Sequence, residues 1–597
     1  MGDDTIGGMF KPRVEKYGDR VMMKRRLGDA WKEISWNEFN DKVKKLALAL
    51  ISNGINPGDR VAIFSPNSPE WQMVDMALVS IGAADVPLYA TITPKQAEYI
   101  IKDSGSKIVF VGTADHMARV LEVRGEMPDL KKIVTMDNTT SEHQDVITFD
   151  DMLKLGEKNA NPDEFYERLD AVKPEDLATI IYTSGTTGDP KGVMLTHWNL
   201  MSNVQTASGF VEVDDTDICL SFLPLSHSLE RMSGYLTSVY NGVTIAHARG
   251  IDQLVEDIYD VKPHFMVSVP RLYEKIHAGV LANIESEPPV KQKIFHWAVT
   301  VGRKVSQLEV NHKHVPALLN VKYKIANKLV FSKIYEKMGG RLRFFFSGGA
   351  PLAQEIAEFF HAMGIVILEG FGLTETSPVL TVNRPDALRF GSVGQPLPGV
   401  EIKIAEDGEI LAKGPNVMKG YWNRPEETAE ALEGGWFHTG DVGHLDEDNF
   451  LFITDRKKDL IVTAGGKNIA PQNIENTLKL DKYIEQVAVI GDKRKFISAL
   501  IVPTWPELEV WAKEKGIDTS DRNALCADER VNKMMKERVD SALHDFDRHE
   551  RVTKFVLLPE EMTEDSGLLT PTLKVKRKEV ARVFSPEIEG MYDNDQT

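Results

Sequence analysis

The chain of 597 residues is long enough for several domains of about 150 residues, and its 42% hydrophobic and 27% charged residues are typical of a soluble folded protein. The formal net charge is −18, from 71 Lys and Arg against 89 Asp and Glu, which argues against nucleic acid as a partner because phosphate backbones need a broad cationic surface. Because Cys219 and Cys526 are the only cysteines, the sequence excludes a disulfide framework and a cysteine-based zinc site.

The N-terminal sequence MGDDTIGGMF lacks the basic and apolar blocks of a signal peptide. Gly2 follows Met1, but a myristoylation signal needs Ser or Thr where Ile6 stands. The sequence also has no run of about 18 apolar residues that could cross a membrane. We therefore predict a cytoplasmic protein.

Short β-rich runs that end in Gly, Pro or Asp alternate with amphipathic stretches along most of the chain. Examples are RVAIFSPNSP at 60–69, KIVFVGT at 107–113 and HFMVSVP at 264–270. This alternation predicts an α/β fold with largely parallel sheets. The absence of a fixed repeat of about 20–50 residues argues against a solenoid or a propeller.

The strongest local motif is YTSGTTGDPKG at 182–192, which follows the β-rich run LATII at 177–181. Its glycines let the backbone approach a ligand, and its hydroxyls and Lys191 can contact a polyphosphate. It is not a Walker A loop, because Lys191 follows Pro190 and precedes Gly192. Taken alone, the motif is also compatible with a surface turn rich in Gly, Ser and Thr.

Residues 291–343 form a basic segment, in which Glu309 and Glu336 are the only acidic residues beside twelve Lys and Arg. Apolar residues recur in it at helical spacing. They are Ile294, Trp297, Val301, Val305 and Leu308, followed by Leu318, Val321, Ile325 and Leu329. Two interpretations are open: a basic amphipathic surface that rests on an anionic membrane, or two helices packed on the core with solvated lysines.

The pattern changes near the charged cluster at 455–459. Before it, GGWFHTGDVGHLDEDNFLFIT at 434–454 predicts short strands joined by Gly and Asp turns. After it, the chain has its own apolar runs, such as QVAVIGD and SALIVP. We predict a large domain over 1–454 and a small α+β domain over 455–597.

The motifs, taken in order, closely resemble those of the adenylate-forming superfamily, which includes acyl-CoA synthetases, luciferases and peptide-synthetase adenylation domains. Besides the loop at 182–192, they are LPLSH at 223–227, SGGAPL at 347–352, EGFGLTE at 369–375, TGD at 439–441, DRKKDLIVTAGGKNIAP at 455–471 and PTLKVKR at 571–577. The resemblance implies a large N-terminal domain of layered, mostly parallel sheets and helices, and a small mobile C-terminal domain.

The resemblance implies ATP and CoA as co-substrates and assigns three groups of nucleotide-binding residues. The phosphate loop would comprise Thr183, Ser184, Gly185, Thr186, Thr187, Gly188 and Lys191. The adenine pocket would comprise Gly348, Gly349, Ala350, Glu369, Gly370, Phe371 and Gly372, where glycines admit the flat base and the aromatic ring stacks on it. Asp441 and Arg456 would bind the ribose hydroxyls.

Four further residues would carry the chemistry. Glu375 would bind Mg²⁺, which takes one or two carboxylates together with substrate phosphates. Thr374 would donate to the α-phosphate, and His227 would lie beside the carboxylate and the phosphates. Lys574 would bridge the carboxylate and the α-phosphate, although Lys576 is close enough to leave the assignment open. A solvated basic tail would also explain this lysine-rich end of the chain.

The second half-reaction would follow a rotation of the small domain about Lys458, after which Gly465 and Gly466 would line the tunnel for the CoA arm. The motifs VPRLYEKI at 269–276 and LPLSHSLER at 223–231 resemble those of long-chain fatty acyl-CoA synthetases. We therefore predict a ligase that makes acyl-AMP from ATP and a long-chain fatty acid, and then acyl-CoA.

Several alternatives are open within and beyond this class. A fatty acyl-AMP ligase would hand the acyl group to a carrier protein, and other CoA ligases take medium-chain or aromatic acids. A nucleotide-binding protein with decayed catalysis is disfavoured because Lys191, Glu375, Asp441, Arg456 and Lys574 are all present. A peripheral membrane scaffold would rest on the basic segment alone.

Overall fold

A computed structural model describes residues 2–28, 30–159, 161–183, 189–464, 467–563, 566–569 and 575–593. The strands are β1 (Val21–Leu27), β2 (Ala30–Ser35), β3 (Arg60–Phe64), β4 (Ala84–Leu88), β5 (Ile108–Val111), β6 (Lys132–Thr135), β7 (Val146–Thr148), β8 (Leu177–Thr183), β9 (Lys191–Thr196), β10 (Ile218–Ser221), β11 (Thr244–His247), β12 (Phe265–Ser268), β13 (Phe344–Ser347), β14 (Val366–Gly372), β15 (Val379–Val382), β16 (Gln395–Pro396), β17 (Glu401–Ile404), β18 (Glu409–Lys413), β19 (Gly420–Tyr421), β20 (Phe437–Leu445), β21 (Leu451–Arg456), β22 (Ile461–Val462), β23 (Asn468–Ile469), β24 (Ile484–Ile490), β25 (Ile497–Pro503) and β26 (Val552–Leu557).

The α-helices are α1 (Ile6–Tyr17), α2 (Trp36–Ser52), α3 (Pro69–Ser80), α4 (Pro94–Ser104), α5 (Ala114–Glu122), α6 (Phe149–Glu157), α7 (Glu164–Ala171), α8 (His197–Ser208), α9 (Thr237–Asn241), α10 (Leu254–Val261), α11 (Pro270–Glu285), α12 (Pro289–Val310), α13 (Ala317–Ala326), α14 (Ser332–Lys337), α15 (Gln354–Ala362), α16 (Pro425–Ala431), α17 (Pro471–Leu478), α18 (Trp505–Glu514), α19 (Arg522–Ala527), α20 (Glu529–Ala542), α21 (Arg577–Val583) and α22 (Ser585–Asp593). Short 3-10 turns lie at Arg124–Glu126, Thr374–Thr376 and Glu433–Gly435, and π-helical turns lie at Glu230–Leu236 and Asn327–Phe331.

Two large mixed sheets form the N-terminal domain. One has the strand order β19-β9-β8-β4-β3-β5-β6-β7, and its strands are parallel except at β9 and β19. The other has the order β16-β15-β14-β13-β12-β10-β11-β1-β2, and it is parallel from β14 to β1. The predicted α/β fold with mostly parallel strands is therefore confirmed.

The sequence also encodes where several helices begin. The hydroxyl oxygen of Ser68 accepts a hydrogen bond from the backbone N–H of Trp71, and Pro69 occupies the first helical position of α3. Thr93 and Gln96 form a reciprocal capping box at the start of α4. Each cap satisfies backbone donors that the first turn of a helix leaves without partners.

A four-stranded antiparallel sheet, β17-β18-β20-β21, follows the large sheets. The small C-terminal domain has a two-stranded sheet of β22 and β23 and a three-stranded sheet of β24, β25 and β26. The latter packs on its own hydrophobic core, which includes Ile474, Val487 and Leu508. The predicted hinge at 455–459 covers the end of β21 and the turn after it. The domain boundary itself stays a prediction.

The basic segment contains the predicted helices, but the two helices differ in packing. Val301 and Val305 of α12 are buried, as core packing requires. The apolar row of α13 instead faces solvent, with exposed fractions of 70% for Leu318, 55% for Val321 and 48% for Ile325. The interpretation of two core-packed helices thus holds for Val301 and Val305 of α12, whereas Ile294 and Trp297 of the same helix and the apolar row of α13 are exposed.

None of the helices in the described part of the chain combines the length and the apolar character that a membrane crossing requires.

Candidate functional site

The glycine-rich motif lies between two paired strands. Strands β8 and β9 are antiparallel neighbours, and Thr183 at the end of β8 is in register with Lys191 at the start of β9. The predicted phosphate-loop residues Ser184, Gly185, Thr186, Thr187 and Gly188 lie outside the described residues. Thr183 and Lys191 therefore mark both ends of the connection in which we predicted the phosphate loop.

A further strand joins this hairpin to the Glu375 turn. Strand β19 pairs with β9, so that Tyr421 lies in register with Val193. Nζ of Lys191 is 5.2 Å from the centroid of the Tyr421 ring, and the Tyr421 hydroxyl donates a hydrogen bond of 2.9 Å to Oε1 of Glu375. The structure thus brings together two predicted site residues through a tyrosine that the sequence analysis missed.

The Glu375 turn is also fixed through its backbone. The carbonyl of Glu375 accepts a hydrogen bond of 2.8 Å from the N–H of Met418, and Nδ2 of Asn416 donates to the carbonyl of Thr376. Burial and the carboxylate of Glu375 raise the pKa of Tyr421 well above its ordinary value. The hydroxyl of Tyr421 therefore keeps its proton and acts as the donor in this contact.

The predicted adenine residues lie at the carboxyl ends of two parallel strands. Gly348, Gly349 and Ala350 follow β13, while Glu369, Gly370, Phe371 and Gly372 end β14, and Ser347 is in register with Glu369. The two loops therefore meet at one edge of the sheet, where α/β proteins bind ligands.

Two glycines of this edge are needed for steric reasons. A side-chain carbon at Gly372 would lie 1.7 Å from the carbonyl oxygen of Pro378, so only glycine fits there. Gly349 has a φ of +82°, in the left-handed region that favours glycine.

Burial raises the pKa of Glu369 to about 8, although the backbone N–H of Leu352 opposes the rise. A carboxyl group in this state is protonated at neutral pH and can donate a hydrogen bond.

His227 lies next to the adenine loop. Its Nδ1 accepts a hydrogen bond of 3.1 Å from the N–H of Leu229, so the neutral ring carries its proton on Nε2. A side-chain carbon at Gly348 would lie 3.3 Å from Cδ2 of Leu229, which shows how closely the two segments pack. The His227 ring also contacts Tyr89, with ring centroids 6.5 Å apart.

The predicted ribose residues form an ion pair. Asp441 in β20 is in register with Arg456 in β21, and Oδ1 of Asp441 is 3.2 Å from Nε of Arg456. Asp441 is buried within the strand β20. The structure brings these two residues together in the sheet of β17, β18, β20 and β21.

Lys457 of the charged cluster at 455–459 forms ion pairs with two acidic residues that the sequence analysis did not single out. Nζ of Lys457 lies 2.6 Å from Asp407 and 3.0 Å from Glu409. Burial opposes ionisation of Glu409, but hydrogen bonds from Lys457 and from the N–H of Gly440 lower its pKa. The predicted hinge residue Lys458 is exposed in the turn that follows.

Asp455 joins the end of β21 to the start of α17, and Arg577 forms an ion pair within the C-terminal domain. The Asp455 carboxylate accepts from the backbone N–H groups of Arg456 and Gln472, and burial raises its pKa to about 6 despite these donors. Arg577 forms a two-pronged ion pair with Glu475 at 2.6 and 2.8 Å. The segment after the predicted catalytic lysines is therefore firmly anchored.

Three predicted residues of this domain, Lys574, Gly465 and Gly466, lie outside the described residues. Lys576 is described, and its N–H donates to the carbonyl of Leu568 at 2.8 Å. The choice between Lys574 and Lys576 therefore stays open.

The side chains around Glu375 suit a metal ion that is already bound to the phosphates of a nucleotide. Within the described part of the chain, no three His, Cys, Asp or Glu side chains cluster as a metal cage. Glu375 offers one carboxylate whose Oε1 is already held by Tyr421. Mg²⁺ commonly combines one or two carboxylates with substrate phosphates and waters, so the site fits Mg²⁺ bound to a polyphosphate.

Comparison with known proteins identifies family profiles along most of the chain. The profile described as AMP-binding enzyme matches residues 10–422. The profile described as AMP-binding enzyme C-terminal domain matches residues 458–596.

Similar proteins cover nearly the whole chain. A long-chain-fatty-acid–CoA ligase, FadD15, of Mycobacterium bovis is 36% identical over 599 residues, which cover 99% of this chain and 98% of that protein. The peroxisomal long chain acyl-CoA synthetase 7 of Arabidopsis thaliana is 33% identical and covers 98% of this chain and 86% of its own length. The A domain of carboxylic acid reductase from Segniliparus rugosus, solved with AMP and a co-purified carboxylic acid, superposes with a TM-score of 0.76 at 20% identity, covering 99% of this chain and 94% of that one. At this identity, the last comparison supports the fold alone.

Proposed function

Because the chain belongs to the family of AMP-binding enzymes, we propose that it is a long-chain fatty acid–CoA ligase. The fatty acid carboxylate attacks the α-phosphorus of ATP, pyrophosphate leaves, and the CoA thiol then displaces AMP from the acyl-AMP. The observation that carries the proposal is the 36% identity with a long-chain-fatty-acid–CoA ligase over 99% of this chain. The grouping of Lys191, Tyr421 and Glu375 supports the nucleotide chemistry.

The first step must bring two anions together, so the site has to neutralise charge and align the reacting groups. Lys191 and the loop before it would hold the β- and γ-phosphates. Glu375 would hold Mg²⁺, which supplies positive charge against the phosphates. Thr374 would donate to the α-phosphate, and His227 would lie beside the acid.

The remaining site residues would hold the nucleoside and the second substrate. The base would lie against the glycines at 348–349 and the ring of Phe371, and Asp441 would accept hydrogen bonds from the ribose. For the ribose to bind there, Arg456 has to share the Asp441 carboxylate, whose Oδ1 it now contacts. The lysine at 574 or 576 would bridge the carboxylate and the α-phosphate.

The second step would use the small domain. We place its boundary at 455–459, which is supported by the turn after β21 and by the family profiles, one ending at 422 and the other beginning at 458. Rotation about Lys458 would withdraw the lysine and present Gly465 and Gly466 to the CoA arm.

The test measures AMP and thioester formation from ATP, Mg²⁺ and CoA with acids of two, eight and sixteen carbons and with an aromatic acid. We expect the highest kcat/KM with the sixteen-carbon acid and lower values with the two- and eight-carbon acids. Acids of neighbouring chain length should also be accepted, because a methylene changes binding by only about 1–3 kcal/mol. Adenylate without thioester would assign the chain to acyl-AMP ligases instead. Preference for the aromatic acid would contradict the long-chain assignment.

We further propose that the exposed row of α13 binds an anionic membrane, where the fatty acid dissolves. Leu318, Val321 and Ile325 present apolar side chains to solvent. The surrounding segment 291–343 is rich in Lys and Arg although the whole chain carries a charge of −18. An apolar row flanked by cations is the pattern that inserts at an anionic lipid surface.

A vesicle assay tests this surface. Leu318→Ser with Val321→Ser should weaken binding to vesicles containing phosphatidylserine about tenfold or more, because each side chain buries apolar area. The matched control is Val255→Ser with Tyr259→Ser, an equally exposed pair on α10 beside Glu256 and Asp260. Equal binding by both variants and the unchanged protein would contradict the proposal.

A further inference from the structure

Tyr421 lies between two oppositely charged side chains of the candidate site. Its ring is 5.2 Å from Nζ of Lys191, and its hydroxyl donates to Oε1 of Glu375 at 2.9 Å. In the described structure, Lys191 and Glu375 do not form an ion pair with each other; each contacts the tyrosine instead. The aromatic face attracts the ammonium group, and the hydroxyl satisfies one carboxylate oxygen.

This separation matters because opposite charges in a partly buried cleft attract each other strongly. A direct pair would occupy the ammonium that a phosphate needs and the carboxylate that a metal ion needs. A ligand would then have to break the pair before it could bind.

We propose that Tyr421 is a positioning residue for Mg²⁺-bound ATP. Its hydroxyl orients the Glu375 carboxylate by holding Oε1, so that Oε2 is directed to the metal, and its ring keeps the Lys191 ammonium apart for the phosphates. The inference rests on the proposed function, because it assumes that Lys191 and Glu375 bind the phosphates and the metal.

The backbone holds Tyr421 in place independently of its hydroxyl. The N–H of Tyr421 donates to Oγ1 of Thr428 at 2.9 Å, and the N–H of Trp422 donates to the carbonyl of Gly192 at 2.7 Å. The indole N–H of Trp422 donates to the carbonyl of Asp103 at 2.9 Å. Removing the Tyr421 hydroxyl should therefore release Oε1 of the Glu375 carboxylate and leave the pairing of β19 with β9 intact.

Calorimetric binding of a non-hydrolysable ATP analogue, with Mg²⁺ and with EDTA, provides a readout apart from activity. Tyr421→Phe should weaken binding about tenfold with Mg²⁺, because it removes a hydrogen bond to a charged group. Binding in EDTA should change less than twofold, since the ring still holds Lys191. Tyr421→Leu removes the ring as well and should weaken binding under both conditions.

Tyr323→Phe is the matched control. The hydroxyl of Tyr323 donates to the carbonyl of Ala362 at 3.0 Å, outside the motif at 182–192, so this variant also removes a tyrosine hydrogen bond, and it should bind the analogue as the unchanged protein does. Thermal unfolding of each variant reports on its fold.

The outcomes separate the two levels of the proposal. If the unchanged protein gains no affinity from Mg²⁺, the assigned roles of Lys191 and Glu375 in the proposed function fail, and the role of Tyr421 fails with them. If Mg²⁺ raises the affinity of the unchanged protein and of Tyr421→Phe by the same factor, the proposed function stands and Tyr421 does not position Glu375. A loss confined to the Mg²⁺ condition supports the inference.

Discussion

Two clusters of charge in the N-terminal domain are built in opposite ways. In the core, Nη2 of Arg231 lies 2.5 Å from Asp75 and 2.9 Å from Asp85, and all three side chains are completely buried. At the candidate phosphate site, Lys191 and Glu375 are only partly buried, and Tyr421 stands between them.

The difference follows from solvation. Charges without access to water need a direct counter-charge, whereas partly exposed charges can remain apart because water stabilises them until a ligand arrives. Burial raises the pKa of Asp75 and Asp85, and the adjacent Arg231 guanidinium opposes the rise. The buried cluster therefore serves the fold, and the separated pair is suited to binding.

The largest expected effect breaks the buried cluster. Arg231→Met leaves two carboxyl groups in the core without a cation, and we expect it to lower the free energy of unfolding by about 3–5 kcal/mol. Urea unfolding followed by tryptophan fluorescence measures the change.

Arg582→Met is the matched control for this loss. Arg582 pairs with Glu579 at 2.9 Å, but its side chain is 72% exposed. Its loss should cost less than about 0.5 kcal/mol. Similar destabilisation by both variants would show that burial does not distinguish the two ion pairs.

The separated pair should respond in the opposite manner. Glu375→Gln keeps the shape and the acceptor oxygen for Tyr421 but removes the charge, so activity should fall about a hundredfold. The free energy of unfolding should change by less than about 0.5 kcal/mol, because no buried counter-charge is lost. Steady-state kinetics and urea unfolding on the same preparation test both statements, and a large loss of stability with normal activity would reverse the comparison.

The runs singled out in the sequence at 60–69, 107–113 and 264–270 contain the strands β3, β5 and β12, because buried parallel strands appear as short apolar runs. It could not predict Tyr421, since 420–425 has the composition of a turn and its role depends on pairing with a strand far away in the chain. Periodicity also placed a helix over the row of Leu318 and Val321, but it does not determine which neighbour covers a helix face.

In the candidate site, too, some features could be predicted from the sequence motifs, whereas others depend on contacts that only the fold creates. The resemblance assigned residues after β13 and at the end of β14 to one adenine pocket, and Asp441 and Arg456 to the ribose. The structure places the ends of β13 and β14 side by side and Asp441 opposite Arg456. The roles of these residues toward a ligand stay predictions. Arg231 belongs to a recognised motif, yet its two partners come from α3 and β4, which only the fold brings together.

The smallest expected effect concerns Glu230, the neighbour of Arg231 in the chain. Its carboxyl group is completely buried and has no cationic partner among the described residues. Burial raises its pKa to about 8, opposed by the Ser221 hydroxyl. In the unfolded chain this pKa returns to about 4.5. Between these two values the folded state binds more protons than the unfolded state, so the free energy of unfolding should decrease as pH rises.

Glu230→Gln removes this proton linkage while keeping the volume of the side chain. Relative to the unchanged protein, the variant should gain about 1 kcal/mol of stability between pH 5 and pH 6. Glu15→Gln, at an exposed position of α1, should leave the pH dependence unchanged. Urea unfolding at both pH values measures the difference, and a variant whose stability follows the unchanged protein in parallel would mean that Glu230 reaches water or a proton donor in the folded core.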